Sequence, residues 1–279
     1  SLCWRHASRL LGSRKSRHRL YTRNLWIWKC EMRTLSRPDK TTNLKVGLIP
    51  ARWSSTRFEG KPLALINGIP MIQRVYDLAC QVKQLDTVVV LTDDDRIVDY
   101  CSKNEIRCIV VEENVRSGTD RCAKALELLD GDIFVNIQGD EPLLNPDAVD
   151  RLISEHRNGV SNAYVYVNND DKLQDKNVVK TITDMNSNAI YYSRLPIPYQ
   201  QKESTPFKQQ LGLYCFDRHM LKIFPSLLVG DNEKAESVEM LRYIENGYAV
   251  NMVEVEDEGL SVDTIEDLKK VEEFLNNVH

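Results

Sequence analysis

Short apolar runs alternate with helical patterns along the first half of the chain, beginning at residue 46. The runs are rich in β-branched residues and predict strands at residues 46–50, 87–91, 106–111 and 132–137. Apolar residues at helical spacing predict helices over residues 71–82, 96–103 and 119–129. Because strands without polar alternation are buried on both faces, we expect a parallel sheet covered by helices. Such open sheets bind ligands at the carboxyl ends of their strands.

The pattern changes after about residue 175, where shorter strands predominate. A hairpin is predicted over residues 178–183 and 189–192, and further strands at residues 212–216 and 248–255. Helices are predicted over residues 234–246, ended by Gly247, and over residues 264–278, capped by Thr264. Since the alternation of strands and helices continues across the change, we predict one α/β domain, residues 45–279, with a β-rich excursion.

The composition narrows the class of protein. A chain of 279 residues is long enough for one large domain or two small ones. No run of 18 apolar residues is present, so we expect no membrane-spanning helix. Seven cysteines without a CxxC pair argue against a disulfide scaffold or a zinc ribbon, and we expect them to be core residues in a reducing compartment.

The net charge of −4 conceals a basic leader at residues 1–44, which holds eleven Lys or Arg and only two acidic residues. The remaining chain carries 26 basic and 39 acidic residues. We expect this leader to be disordered. Three interpretations stay open: added or upstream-translated sequence before a natural start at Met32, an organellar transit peptide, or a basic arm for nucleic acid.

Two polar loops follow predicted strands. The first, PARWSSTRFEGKP at residues 50–62, offers backbone N–H groups and the cations Arg52, Arg57 and Lys61, which suit a polyphosphate; a solvated basic loop is the alternative. It contains neither GxxxxGK[ST] nor GxGxxG. The second, residues 116–121, opens a helix, and its amides could contact a base edge or a phosphate.

Candidate metal ligands lie in two further segments. NIQGDEP at residues 136–142 ends a buried strand with a Gly turn and the paired carboxylates Asp140 and Glu141. Asp263 lies between a predicted strand and a helix N-terminus. Mg²⁺ prefers one or two carboxylates together with phosphate oxygens. Both segments are also compatible with ordinary turns and helix capping.

These motifs resemble, in family order over about residues 45–275, the cytidylyltransferases of 3-deoxy-manno-octulosonate (Kdo), the CMP-Kdo synthetases. The resemblance rests on residues 49–63 and on Thr92-Asp93-Asp94, Ser117-Gly118-Thr119, QGDEP at 138–142, Tyr192-Ser193-Arg194, Gly212-Leu213-Tyr214, Glu239-Met240-Leu241-Arg242 and Val262-Asp263-Thr264. It implies a Rossmann-like nucleotidyltransferase sheet with a β-rich dimerisation region, and therefore a homodimer. It also implies that CTP and a 3-deoxy-2-keto sugar acid give a CMP-sugar and pyrophosphate.

The resemblance also implies roles for individual residues. Arg52 and Lys61 would hold the CTP phosphates, and Asp140 and Asp263 would hold Mg²⁺. The cytosine and ribose would be lined by Ala51, Ser117, Gly118, Thr119 and Gln138. The sugar acid would be faced by Arg194, Gln210, Tyr214, Glu239 and Met240, with the planar donor group of Arg194 suited to its carboxylate.

The chain departs from the family at two of these positions. Gln210 takes the place of a His in a His-x-Gly-x-Tyr motif, and Met240 takes the place of a Gln in Glu-Gln-Leu-Arg. Because a site built for a substrate hydroxyl discriminates strongly, the acceptor could be a different acid: a nonulosonic or modified octulosonic acid, or a phosphonate. A third hypothesis, a nucleic-acid binder acting through the leader, conflicts with the acidic remainder of the chain. We expect no nucleic-acid or membrane partner, and a cytoplasmic enzyme unless the leader is a transit peptide.

Overall fold

The computed structural model describes residues 43–54, 58–111, 115–157, 159–201, 205–257 and 260–277. The unit of internal contacts that contains them begins at Asn43. The predicted leader, residues 1–44, lies outside the described residues except for its last two positions. The predicted phosphate-binding cation Arg57 also lies outside the described residues.

The centre of the fold is a nine-stranded mixed sheet. Its strands are β1 (Lys45–Pro50), β4 (Thr87–Thr92), β5 (Cys108–Val110), β6 (Ile133–Asn136), β7 (Val160–Val167), β8 (Lys180–Thr183), β9 (Ala189–Ser193), β10 (Phe207–Asp217) and β11 (Asn251–Glu254). They are ordered β11-β7-β10-β6-β1-β4-β5, with β8 paired to β10 and β9 paired to β8. Strands β6, β1, β4 and β5 are parallel, whereas β10 runs antiparallel to β6 and β7. A separate pair, β2 (Leu65–Ile66) and β3 (Ile69–Pro70), precedes the first helix.

Nine α-helices in the described part of the chain accompany the sheet. They are α1 (Met71–Ala79), α2 (Asp95–Lys103), α3 (Gly118–Ala125), α4 (Pro146–Ser154), α5 (Asp170–Gln174), α6 (Arg218–Ile223), α7 (Asp231–Glu236), α8 (Leu241–Glu245) and α9 (Ile265–Asn277). Side-chain caps start α2, α3 and α4, where Asp94, Ser117 and Asn145 accept hydrogen bonds from backbone N–H groups of the first turn. These caps fix where each helix begins.

The main apolar core lies between the sheet and three helices. Ile72 of α1, Ile97 of α2 and Leu152 of α4 are fully buried against strand residues such as Val90 and Val135. A smaller core joins Ile66 and Met71 to Val262 and Val271. This second core holds the segment before α9 beside the 3-10 turn Lys61–Leu63, and it thereby places Asp263 near Lys61.

The predicted α/β sheet flanked by helices is confirmed, with three corrections. The predicted helix 234–246 is two helices, because Ser237 adopts a left-handed conformation with φ 53° between α7 and α8. The helix expected over residues 119–129 ends at Ala125. Strand β7 and helices α4, α5 and α6 were not predicted, although Asn145-Pro146 is a recognisable helix start.

Candidate active site

A cavity of about 580 Å³ opens at the carboxyl ends of β1 and β6, beside the start of α3. Nine of the predicted site residues line it: Ala51, Arg52, Lys61, Ser117, Gly118, Gln138, Asp140, Glu239 and Asp263. The four residues predicted to act in catalysis, by holding the CTP phosphates and Mg²⁺, therefore share one cavity. They are Arg52, Lys61, Asp140 and Asp263.

Lys61 lies between the two predicted metal carboxylates. Its Nζ is 2.6 Å from Asp140 Oδ2 and 3.4 Å from Asp263 Oδ1, and it donates to the Val262 carbonyl at 2.8 Å. The backbone joins the same segments, since the Val262 N–H donates to the Asp140 carbonyl at 2.9 Å. Two carboxylates that are distant in sequence thus converge on one point.

The residues at this point fit Mg²⁺ bound together with nucleotide phosphates. Both carboxylates are partly exposed to solvent, Asp140 with 28% and Asp263 with 39% of its side-chain surface. The Lys61 ammonium lies between them, at a position that favours a cation. No group of three or more His, Cys, Asp or Glu suited to a metal occurs among the described residues. Because Mg²⁺ commonly takes one or two carboxylates and completes its shell with phosphates and water, two aspartates suffice.

The loop between Arg52 and Lys61 closes on Trp53. The Gly60 N–H donates to the Trp53 carbonyl at 3.0 Å, and the Trp53 indole N–H donates to Glu59 Oε1 at 3.1 Å. Gly60 has φ 70°, and a Cβ there would lie 2.8 Å from the Trp53 ring, so this turn requires glycine. The Arg96 guanidinium stacks on the Trp53 ring, 3.5 Å from its centroid. These contacts lie between Arg52 and Lys61, which both line the cavity.

The start of α3 presents the predicted nucleotide turn. The Ser117 hydroxyl accepts from the Asp120 N–H at 3.1 Å and donates to its carboxylate at 3.0 Å. Thr119 is fully buried and is not part of the cavity lining, and its hydroxyl accepts from the Asn136 amide at 3.2 Å. Its backbone N–H donates to Glu239 Oε2 at 3.2 Å. Of the predicted nucleotide residues of this turn, Ser117 and Gly118 line the cavity, and Arg116 and Arg121 line it as well.

A buried ionic cluster joins α3 to α7 and α8. The Arg242 guanidinium donates to both oxygens of Glu233, at 2.6–3.1 Å, and to Asp120 Oδ1 at 3.2 Å. It also stacks 4.0 Å from the Phe224 ring centroid. Desolvation raises the pKa of the nearby Glu239, although the Thr119 hydrogen bond opposes this shift. Among these residues only Glu239 was predicted in the site; Arg242 and Glu233 also line the cavity.

Four of the five residues predicted to face the sugar acid lie outside the cavity lining. The Arg194 guanidinium donates to the Glu236 and Lys176 carbonyls at 2.7 and 2.9 Å. Gln210 donates to the Tyr214 hydroxyl at 2.9 Å, and burial raises the pKa of Tyr214. Met240 is fully buried. In this structure only Glu239 of that set reaches the cavity.

Glu141, the second acid of the paired carboxylates predicted at the end of β6, lies beside the site but outside the cavity lining. Desolvation and the neighbouring carboxylates of Asp140 and Asp257 raise its pKa to about 8, and the Gly212 backbone N–H opposes the shift. Its signal in the sequence was the second acid of the Asp-Glu pair that ends β6. Burial and the neighbouring carboxylates therefore favour the neutral form of this carboxyl group near neutral pH.

The comparisons with known proteins agree with this geometry. A family model described as cytidylyltransferase matches residues 46–257. The chain belongs to the cytidylyltransferase family. It is thus a nucleotidyltransferase, as the sequence resemblance implied.

Two relatives and one solved structure define its neighbourhood in the family. The chain is 39% identical over 251 residues to the mitochondrial 3-deoxy-manno-octulosonate cytidylyltransferase of Arabidopsis thaliana, covering 86% of each chain. It is 38% identical over 231 residues to the 8-amino-3,8-dideoxy-manno-octulosonate cytidylyltransferase of Shewanella pealeana, covering 80% of this chain and 94% of that one. A CMP:2-keto-3-deoxy-manno-octonic acid synthetase complexed with CTP superimposes with a TM-score of 0.80 at 33% identity, over 85% of this chain and 100% of the other. The nucleotidyltransferase fold is therefore confirmed.

Within the described part of this cytidylyltransferase, every helix is too short or too polar to cross a membrane.

Proposed function

We propose that this cytidylyltransferase transfers CMP from CTP to the anomeric hydroxyl of a 3-deoxy-2-keto sugar acid, with Kdo as the acceptor, and releases pyrophosphate. The observation that carries the proposal is the convergence of Asp140 and Asp263 on Lys61, at the mouth of a cavity that also contains Arg52, Ser117 and Gln138. The names of the similar proteins support the same substrates.

The charges of the site suit a polyphosphate. Arg52 is exposed at the carboxyl end of β1, where its guanidinium is available to phosphate oxygens, and Lys61 would bind the same group. Asp140 and Asp263 would hold Mg²⁺, which supplies neutralisation of phosphate charge when bound. Ser117, Gly118 and Gln138 would line the cytosine and ribose.

The reaction is an in-line substitution at the α-phosphorus of CTP. The acceptor's anomeric oxygen forms a bond to the α-phosphorus, and the bond from this phosphorus to the bridging oxygen of pyrophosphate breaks. The hydroxyl proton is released to solvent water. Such transfers depend mainly on positioning and on stabilisation of charge. Arg52 and Lys61 contribute by binding the leaving pyrophosphate.

A modified octulosonic acid is the second candidate acceptor. Gln210 and Met240 depart from the family pattern, and one similar protein is named for an 8-amino-3,8-dideoxy acid. Pyrophosphate release from CTP with Mg²⁺ and either Kdo or its 8-amino-8-deoxy analogue tests both candidates. Faster turnover of Kdo supports the first proposal, faster turnover of the amino sugar supports the second, and no turnover of either acid contradicts both.

We further propose that two copies of the chain form a homodimer through the β-rich excursion. Apolar side chains are exposed there on β7, on β9 and in the segment after β9: Tyr166 (52%), Ile190 (52%), Leu195 (71%) and Tyr199 (87%). Burial of exposed apolar side chains in a protein interface stabilises association.

The compartment is a separate proposal, since one similar protein is named as mitochondrial. We propose that the enzyme is cytoplasmic. If residues 1–44 are a transit peptide, they direct the enzyme to an organelle instead. Fusing residues 1–44 to a fluorescent protein distinguishes the two, because organellar signal supports transit and diffuse signal contradicts it.

A further inference from the structure

Strand β10 contains a bulge opposite β7. Gln210 pairs with Tyr164 and Tyr214 pairs with Asn162, so four steps along β10 match two steps along β7. The extra residues cannot continue the regular ladder of hydrogen bonds. The bulge carries Gln210, Gly212 and Tyr214, the motif at which the chain departs from its family.

The side chain of Asn162 holds this bulge. It is fully buried, and its amide nitrogen donates to the Leu211 carbonyl at 2.8 Å and to the Leu213 carbonyl at 3.1 Å. These two carbonyls flank Gly212. The amide oxygen of Asn162 has no hydrogen-bond partner among the described residues. An unpaired buried acceptor lowers the stability of the fold. The fold tolerates this cost here because the N–H groups of the same amide bind the two carbonyls of the bulge.

The bulge presses directly on the turn after β6. A Cβ at Gly212 would lie 2.6 Å from Gln138 Cγ and 3.0 Å from Glu141 Oε1. The strand can therefore approach the turn this closely only with glycine. The position of the bulge sets the distance between the Gln210–Tyr214 pair and the nucleotide-facing side chain of Gln138.

We propose that Asn162 is a positioning residue, which fixes the acceptor motif of β10 against the nucleotide turn of β6. It lies outside the cavity lining and acts through Gly212. The inference rests on the proposed function, because Gln138 is assigned there to the nucleotide, while the family resemblance implies that Tyr214 faces the acceptor.

The test compares Asn162→Ala with Asn251→Ala. Asn251 is a matched control: it is buried on the neighbouring strand β11, and its amide oxygen also lacks a partner among the described residues. Its amide donates to the Glu155 carbonyl at 3.5 Å rather than to the bulge. CTP affinity is measured by calorimetry and kcat/KM for the acceptor by pyrophosphate release, at a temperature where circular dichroism shows both variants folded.

We expect Asn162→Ala to weaken CTP binding about tenfold and to lower kcat/KM for the acceptor about 10²-fold, since displacement by about 1 Å has such effects. Asn251→Ala is expected to change both quantities less than about twofold. Equal effects of the two variants, or a lowered melting temperature with unchanged CTP affinity and kcat/KM, would overturn the proposal.

Two further arms keep the result decisive. If Asn162→Ala fails to fold, Asn162→Ser is used in its place, because the serine hydroxyl can donate to one of the two carbonyls. A partial loss of CTP affinity in this variant supports the proposal, and unchanged CTP affinity overturns it. If the wild-type protein turns over no sugar acid, the proposed acceptor fails. The CTP affinities of the variants then judge Asn162 alone.

Discussion

At the scale of single residues, Lys61 is the connection between the two halves of the site. Its ammonium nitrogen bonds carboxylates from the ends of two different segments, and its side chain is only 14% exposed. Two carboxylates close together repel each other, so the lysine stabilises their proximity when no other cation is present. If Asp140 and Asp263 hold Mg²⁺ as proposed, Lys61 and the ion would compete for the same oxygens when CTP phosphates are not bound.

Replacing Lys61 by Met is expected to change metal binding and catalysis in opposite directions. Mn²⁺ should bind the nucleotide-free protein more tightly, because the competing ammonium is gone, while kcat/KM for CTP should fall about 10²-fold. Electron paramagnetic resonance of Mn²⁺ and steady-state kinetics measure the two effects. Lys83→Met, in the exposed pair with Asp147, is the control and should change neither. Weaker Mn²⁺ binding by Lys61→Met would contradict the competition.

His156 lies outside the cavity, and we expect it to make the stability of the protein depend on pH. Its ring nitrogens lie 2.8 Å from Ser161 Oγ and 3.2 Å from Asp217 Oδ1, and desolvation lowers its pKa although Asp217 opposes this shift. The unfolded chain therefore binds more protons below about pH 6.5, and the contribution of neutral His156 is lost as the pH falls through the lowered pKa. Urea unfolding from pH 8 to 5 should show a steeper loss of stability for the wild type than for His156→Gln. Parallel curves would contradict this assignment.

At the scale of elements, the segment containing α7 and α8 is held against α3 by charges rather than by apolar contacts alone. Arg242, Asp120 and Glu233 are each at most 10% exposed at the side chain. Removing one member of such a cluster leaves buried charges without a partner. The cluster therefore fixes the nucleotide turn relative to Glu239.

Arg242→Met should lower the free energy of unfolding by about 3–5 kcal/mol, because Glu233 and Asp120 become unpaired. Adding Glu233→Gln should restore part of this loss. Urea denaturation measures both, with Arg151→Met as the control for an exposed pair, where no measurable change is expected. A loss no larger than that of the control would show that the cluster contributes little.

The sequence predicted elements whose signals are local and missed those decided by tertiary contacts. Strands β1 and β4 and helix α1 follow from apolar runs and helical periodicity. The break at Ser237 did not, since nothing in residues 234–246 disfavours a continuous helix. Strand β7 was missed because Ser161 and Asn162 interrupt its apolar pattern; both are buried to bond partners from other elements.

At the scale of the whole molecule, the active-site residues come from segments that are distant in sequence and that meet at one end of the sheet. Motif order placed Lys61, Asp140 and Asp263 in one site, and the structure brings them together. The orientations of Thr119, Met240 and Arg194 could not be predicted, because each depends on a neighbour from another element.

The proposed homodimer gives a prediction at this scale. Ile190→Glu replaces an exposed apolar side chain of the proposed interface by a charge and should convert a dimer into a monomer in analytical ultracentrifugation, because burying an unpaired charge is unfavourable. Leu65→Glu, at an equally exposed apolar residue on β2, should leave the dimer intact. A monomeric wild type, or dissociation by both variants, would contradict the predicted interface.

The most direct test of the central claim is a Mg²⁺ titration of CTP-dependent pyrophosphate release for the wild type, Asp140→Asn, Asp263→Asn and the double variant. If both carboxylates bind one ion, each single variant loses about 10³-fold in kcat/KM and needs more Mg²⁺, and the double variant is hardly worse than the single ones. Losses that multiply in the double variant, or normal turnover by Asp140→Asn, would show that the two aspartates do not act on a common ion.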